Sequence, residues 1–204
     1  MNNKGLLFVF SGPSGVGKGT IMKEFTARYP EDNFISVSAT TRKPRPGEEH
    51  GVHYYFMSES EFTELAENGG MLEYANFSGN FYGTPRDPVY KTLEEGKNVF
   101  LEIEVQGAAK VKEICPEAIF IFVMPPNMEE LAKRLTDRNT EDQKTIELRL
   151  SNAKREIEQS KNYDYIIVNN TIEEAVNELT AIVSSSKCAY DNMKNFIDEV
   201  LKNA

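Results

Sequence analysis

Residues 6–20 read LLFVFSGPSGVGKGT, and this stretch decides the fold. Leu6 to Phe10 is a short apolar run, too short to cross a membrane and suited to a buried parallel strand. Gly12-Pro13-Ser14-Gly15-Val16-Gly17-Lys18 follows, and behind it begins a helix-like pattern from Gly19 and Thr20. Strand, glycine loop and helix together predict a phosphate loop. Glycines let backbone N–H groups turn inward around a phosphate chain, and the helix adds its N-terminal dipole. Lys18 supplies a mobile charge for the β- and γ-phosphates of a nucleotide such as ATP. A plain glycine turn between strand and helix is the alternative; the lysine closing the glycine pattern favours phosphate.

The loop departs from its pattern at one place. A hydroxyl residue is expected directly after the lysine, but Gly19 stands there and Thr20 comes one later. Mg²⁺ is therefore expected to be held by ATP oxygens and water, in keeping with its reluctance to dehydrate.

Outward from the loop, strands and helices alternate. Thr20 to Tyr29 reads as a helix burying Ile21, Met22 and Phe25 and ended by Pro30. Phe34 to Ser38 reads as a strand. Asp87 as cap and Pro88 at the first helical position predict a helix ending at Gly96. Asn98 to Glu104 reads as a strand whose Glu102 and Glu104 lie at the C-terminal end, where α/β sheets place ligands. Further helices are expected over 106–114, from Asn127 to about Asp137, and from a Thr140/Gln143 capping box to about Lys161. Ala118 to Met124 and Tyr165 to Val168 complete the strands. Thr171 and Glu174 cap a helix with a helical apolar period, and an amphipathic segment runs over Met193–Leu201. Such alternation predicts an α/β parallel sheet covered by helices on both faces.

Residues 38–85 break the alternation. SATTRKPRPGEEHGVHYYF, residues 38–56, is irregular and crowds Arg42, Lys43 and Arg45 into four positions. The residues alone leave open a solvated basic loop or a bidentate phosphate clamp. Ser58 and Glu61 form a capping box for a helix stopped by Gly69-Gly70. Met71 to Phe77 is strand-like and carries Glu73, which composition alone places equally well in solvent or in the core. Residues 78–85, SGNFYGTP, read as a turn. The expected organisation is a core of 1–37 and 86–204, an inserted α+β lobe at 38–85, and a lid at about 125–150. Arg134, Arg138 and Arg149 flank the lid; on charged helices these are as readily solvated faces.

The 204 residues carry 40% apolar and 27% charged residues with a net charge of −9, enough for one substantial core. Such acidity argues against a general nucleic-acid binder, which needs a basic face. Cys115 and Cys188 are isolated and lack zinc spacing, which points to a reduced, cytoplasmic setting. No signal peptide, membrane-length run or internal repeat is evident.

In the order GPSGVGKGT, SATTRKPRPGEEHGVHYYF, EYANFSGNFYGTP, LEIEVQG, RNTE and IIVNN, the chain resembles the guanylate kinase family from Gly5 to about Ile182. The resemblance implies a P-loop kinase fold binding ATP at the loop, residues Gly12, Pro13, Ser14, Gly15, Val16, Gly17, Lys18, Gly19 and Thr20, with Asn169 near the adenine. It implies GMP (and dGMP) as acceptor in the small lobe. Arg42, Arg45, Tyr54 and Tyr82 would hold its phosphate, and Ser38, Glu73, Thr84 and Glu104 its guanine. Lys18, Arg42, Arg134, Arg138 and Arg149 would stabilise the transferring phosphoryl group. Mg²⁺ would be reached by Thr20 or Glu102 through water. The chain departs from many relatives at Asn139, Glu104 and Asn170, where they carry Gly, Asp and Asp.

The chemistry implied needs no protein base. A nucleotide monophosphate is mostly dianionic at neutral pH, with a second pKa of about 6, and is itself the nucleophile. Phosphoryl transfer asks for alignment and cancellation of charge. His50 and His53 have no evident base role. Two other classes fit parts of the sequence. One is a non-catalytic scaffolding module of this fold, against which Lys18 and the lid arginines argue. The other is a kinase of another nucleoside monophosphate, against which the small-lobe motifs argue. The 193–201 stripe is expected to be covered by the sheet layer or by a second copy in a homodimer.

Overall fold

The computed structural model describes residues 4–77, 79–136 and 143–202. Nine strands and eight α-helices occur among them, arranged in two sheets. The larger sheet has the order β2 (Asn33–Ile35), β7 (Asn98–Glu102), β1 (Leu7–Ser11), β8 (Ile119–Met124), β9 (Tyr165–Val168), and every pairing is parallel. β1 lies at its centre because its five residues are all buried. A period of two sends alternate side chains to opposite faces. Phe8 and Phe10 join α1 (Lys18–Arg28) and α7 (Ile172–Lys187) in one core cluster. Leu7 and Val9 join α3 (Arg86–Glu94) and α4 (Val105–Ile114) in another. Phe8 is register partner to Phe100, and their rings stack with centroids 4.8 Å apart. Burying a side chain of this size stabilises by about 1.5–3 kcal/mol. The sheet is thus covered on both faces, as expected.

The second sheet has the order β4 (Tyr55–Phe56), β3 (Ala39–Thr40), β6 (Asn80–Pro85), β5 (Met71–Phe77). α2 (Glu59–Glu67) packs on it through Phe62, which joins Ala39 and Met71 in a small core. The Ser58–Glu61 capping box is formed in both directions. All four strands fall between residues 39 and 85. α5 (Met128–Thr136) and α6 (Gln143–Glu158) pack through Leu131, Leu135, Ile146 and Ala153. A 3-10 turn, Gln159–Asn162, follows α6. α8 (Tyr190–Lys202) closes the described chain. No helix among the described residues is long and apolar enough to cross a membrane.

Several local expectations are corrected. Residues 80–85 are not part of a turn but a strand, β6, paired antiparallel with both β5 and β3. Its Gly83 lets β5 approach: an added Cβ would stand 2.7 Å from Glu73 O. Pro85, lacking an N–H, ends the strand and takes the N-cap place of α3, so Asp87 lies in the first turn instead of capping it. The strand expected over 34–38 stops at Ile35, and the chain passes to the second sheet at Ala39. The strand expected to reach Glu104 ends at Glu102, because Glu104 becomes the N-cap residue of α4. Asn139 and the Thr140 side of the second capping box lie outside the described residues.

Candidate active site

The phosphate loop is shaped by its neighbours as well as by its glycines. Gly17 is the N-cap of α1 with φ 99°, left-handed backbone that favours glycine. A Cβ there would also stand 2.5 Å from Asn169 Nδ2. Asn169 Nδ2 donates to Val16 O at 2.7 Å, so this buried amide braces the loop from the end of β9. Among the described residues no side chain caps α1, and its first turn holds no acidic residue. Its leading N–H groups and dipole therefore favour an anion. Lys18 Nζ donates to Gly12 O at 2.5 Å and Pro13 O at 3.1 Å. Burial pushes its ammonium pKa down, while Glu102, Glu156 and Glu104 oppose that shift.

A cavity of about 410 Å³ lies beside this loop, within the range of small-ligand sites. Gly12, Ser14 and Lys18 line one part; Glu73, Tyr82 and Gly83 of the small sheet, with Ser38 and Tyr54 next to its strands β3 and β4, line another. Glu102, Ile103 and Glu104 form its floor, and Glu156 enters from α6. Glu73 pairs across the strands with Thr84. Thr84 Oγ1 donates to Glu73 Oε1 at 2.8 Å, and both residues are buried. Burial raises the Glu73 carboxyl pKa; the Thr84 bond and Lys110 pull it back. Of the two placements left open for Glu73, the structure takes the buried one.

The arginines are placed unequally. Arg42 stacks over Tyr54, 5.5 Å from the ring centroid, and Tyr54 packs edge-on to Tyr82 at 6.2 Å. Tyr54 and Tyr82 line the cavity; Arg42 does not, and reaches it only through its contact with the Tyr54 ring. The carboxylate of Glu48 grips Arg42 in a fork, accepting from Nη1 at 2.9 Å and Nη2 at 2.8 Å, and accepts from Arg45 N at 2.7 Å. The Arg42 bonds, then that backbone bond, hold the Glu48 carboxyl down to about 2. The Arg45 side chain is exposed and does not line the cavity. Arg134 Nε donates to Glu130 at 3.0 Å and Nη2 to Asn169 O at 3.1 Å, so it clips α5 to the end of β9. Neither Arg134 nor Arg149 lines the cavity. Arg138 lies outside the described residues. His50 and His53 accept from backbone N–H groups of Phe56 and Glu49, and act as struts of the basic loop.

Sequence reading missed Glu48, Glu156 and Phe77, the last two of which line the cavity. Glu48 is six residues beyond Arg42, a separation with no regular-structure meaning. Glu156 looks like one more charge on a charged helix. Phe77, 62% exposed at the end of β5, carries the one visible signal, an apolar side chain left in water at a cavity rim.

Gly19 and Glu102 bear on a metal. A Cβ at 19 would stand 3.6 Å from Glu102 Oε1, so Glu102 faces the start of α1 where a nucleotide-borne cation would lie. Thr20 is turned about 100° further round the helix and is not at the cavity. The donor set fits Mg²⁺ held through Glu102 and water better than through Thr20.

The chain matches the family model described as guanylate kinase over residues 4–186. A guanylate kinase of Clostridioides difficile is 50% identical over 199 residues, 98% of this chain and 97% of the relative. One from Latilactobacillus sakei is 51% identical over 185 residues, 91% of each chain. The crystal structure of guanylate kinase from Anaplasma phagocytophilum superposes with a TM-score of 0.73 at 36% identity, covering 93% of this chain and 89% of that one. With the phosphate loop, the two-sheet cavity and the buried Glu73 in place, the chain belongs to the guanylate kinase family.

Proposed function

We propose that the cavity transfers the γ-phosphoryl group of ATP to GMP, and to dGMP, giving ADP and GDP. The observation that carries this reading is the placement of a buried, Thr84-bonded Glu73 across one cavity from the Lys18 phosphate loop. A carboxylate there suits guanine, which offers N1–H and N2–H as adjacent donors. Adenine presents a bare N1 and would leave the carboxylate facing a lone pair. Sites built on such bonds reject the mismatched analogue by about 10⁴–10⁵. Glu104 assists Glu73, while Ser38 and Thr84 serve the rest of the base edge.

The remaining roles follow from charge. A phosphate oxygen of GMP attacks the γ-phosphorus in line, the bond to the β-phosphate oxygen breaks, and ADP leaves with the electron pair. Lys18 and the α1 N–H groups hold the donor phosphates. Arg42, Tyr54 and Tyr82 hold the acceptor phosphate, with Glu48 fixing the plane of the guanidinium. Arg45 joins them by closure of the lobe. Glu102, through water, would hold the Mg²⁺ that comes with ATP, and the ion would supply charge neutralisation on the phosphates. Among the described residues four carboxylates and one ammonium line the cavity, so two phosphate-bearing substrates need that cation and added arginines. Arg134, Arg138 and Arg149 are the lid's contribution, and Asn169 lies beside the adenine while bracing the loop. Residues 38–85 and the lid at 125–150 close on the core of 1–37 and 86–204, which excludes water.

The reading extends to setting and assembly. We place the chain in the cytoplasm, in line with its free cysteines. The α8 stripe of Met193, Phe196, Ile197, Val200 and Leu201 has no fully buried member and is proposed to pack in a homodimer. The function is tested by incubating the purified chain with ATP, Mg²⁺ and a panel of nucleoside monophosphates while ADP release is followed. Turnover with GMP and dGMP far above AMP, CMP and UMP is expected. Turnover with none indicates a binding module; preference for another monophosphate overturns the substrate.

A further inference from the structure

Gly107 stands in the first turn of α4, three residues past the N-cap Glu104. Its backbone is ordinary helix, since it is not among the residues with positive φ. Glycine is among the poorest residues for such a position, and alanine the best. The reason for glycine lies across the interface with β5. A Cβ built on Gly107 would stand 2.8 Å from Glu73 Oε2, 3.2 Å from its Cδ and 3.5 Å from its Cγ. Among the described residues no other group is as near. The missing side chain is filled by the carboxylate itself.

We propose that Gly107 is a specificity-determining position of the GMP site: its lack of a side chain sets where the Glu73 carboxylate rests. This deepens the guanine reading of Glu73 and rests on it. Glu73 is fixed from one side by Thr84 through Oε1 at 2.8 Å and from the other by the open surface of Gly107. Gly107 touches no nucleotide in this account and acts through Glu73 alone. An alanine methyl would push Oε2 back by roughly half an ångström to reach ordinary contact. That shift is cheap for the fold, because the displaced atom ends a flexible side chain. It is costly for recognition, since misplacement by about 1 Å costs on the order of 10²-fold. Gly83 shows the contrast. Its added Cβ would meet backbone, Glu73 O at 2.7 Å, and so would disturb the sheet itself.

The test is a double-mutant cycle on the full chain with G107A, E73A and both together. Steady-state kinetics are taken with GMP, with IMP (which lacks the N2 amine) and with varied ATP, beside thermal melts. G107A is expected to lower kcat/KM for GMP about tenfold. It should narrow the GMP-over-IMP preference, leave KM for ATP within about twofold, and melt no lower than the parent. In the E73A background, adding G107A should change GMP use by less than about twofold, because the group it displaces is gone. Three results overturn the proposal alone: parental GMP kinetics in G107A, an equal loss from G107A with and without Glu73, or a melting point below the parent's. If E73A itself uses GMP like the parent, the guanine reading falls and the proposal with it.

Discussion

Replacing Glu73 by Gln keeps the shape of the side chain and removes its charge. Glu73 is 8% exposed and one oxygen is taken by Thr84, which leaves the other for the base. A hydrogen bond to a charged group is worth about 1.5–3 kcal/mol. At about 1.36 kcal/mol per decade, kcat/KM for GMP should fall roughly 10- to 150-fold. ATP binding, measured separately, should hardly change. Stability should move the other way. Burial raises the Glu73 pKa in the folded chain above its unfolded value of about 4.3. The group's contribution is then fully present below about pH 4.3 and is lost as pH rises through the folded value. At neutral pH the ionised carboxylate is a cost, and Gln removes it. Melting curves should show Glu73→Gln at least as stable as the parent at pH 7, with the advantage shrinking toward pH 4. Parental GMP efficiency in this variant, or a stability loss independent of pH, would refute the reasoning.

Other tests address the remaining charges and the last helix. Lys18→Ala should cost about 10²–10³ in turnover with the melting temperature preserved, since one preorganised charge contact is lost; near-parental turnover would remove Lys18 from the reaction. Glu48, held down to about 2 by Arg42, should titrate by NMR far below an unfolded glutamate, so its support of the loop is present above about pH 4.3 and lost as pH falls toward 2; an ordinary carboxylate titration would show the fork to be unformed in solution. Deleting residues 190–204 should lower the sedimentation coefficient if α8 mediates a homodimer; unchanged sedimentation would exclude that role.

The parts of this fold legible in the sequence were those set by local pattern. Leu6 to Phe10 and the glycine-lysine loop predicted β1, the loop and α1 because strand burial, positive φ and helix start are encoded within a few residues. The Ser58–Glu61 box formed as written for the same reason. What misled was tertiary pairing. Residues 80–85 contain turn-forming Asn, Gly and Pro, yet β5 pairs along all of them and the sequence-distant β3 pairs with Tyr82 and Gly83 from the other side, which makes them a central strand. Pro85 is tolerated because it ends that strand. Family resemblance singled out Glu73 and Thr84 but gave no contact between them; their bond depends on the β5–β6 register, and the room for Glu73 depends on Gly107. Glu48 shows the same dependence, since its grip on Arg42 exists only once the 42–48 loop folds back.

One cavity is proposed to hold a guanine against Glu73 and a triphosphate on the loop of residues 12–18. The most direct measurement is a crystal structure of the chain with GMP, Mg²⁺ and a non-hydrolysable ATP analogue. Guanine N1 and N2 are predicted to lie within about 3 Å of the Glu73 carboxylate, with the analogue's phosphates on the loop and Lys18 drawn away from Gly12 O toward them. A guanine bound elsewhere, with Glu73 contacting only Thr84 and Lys18 still on the loop carbonyls, would contradict the account.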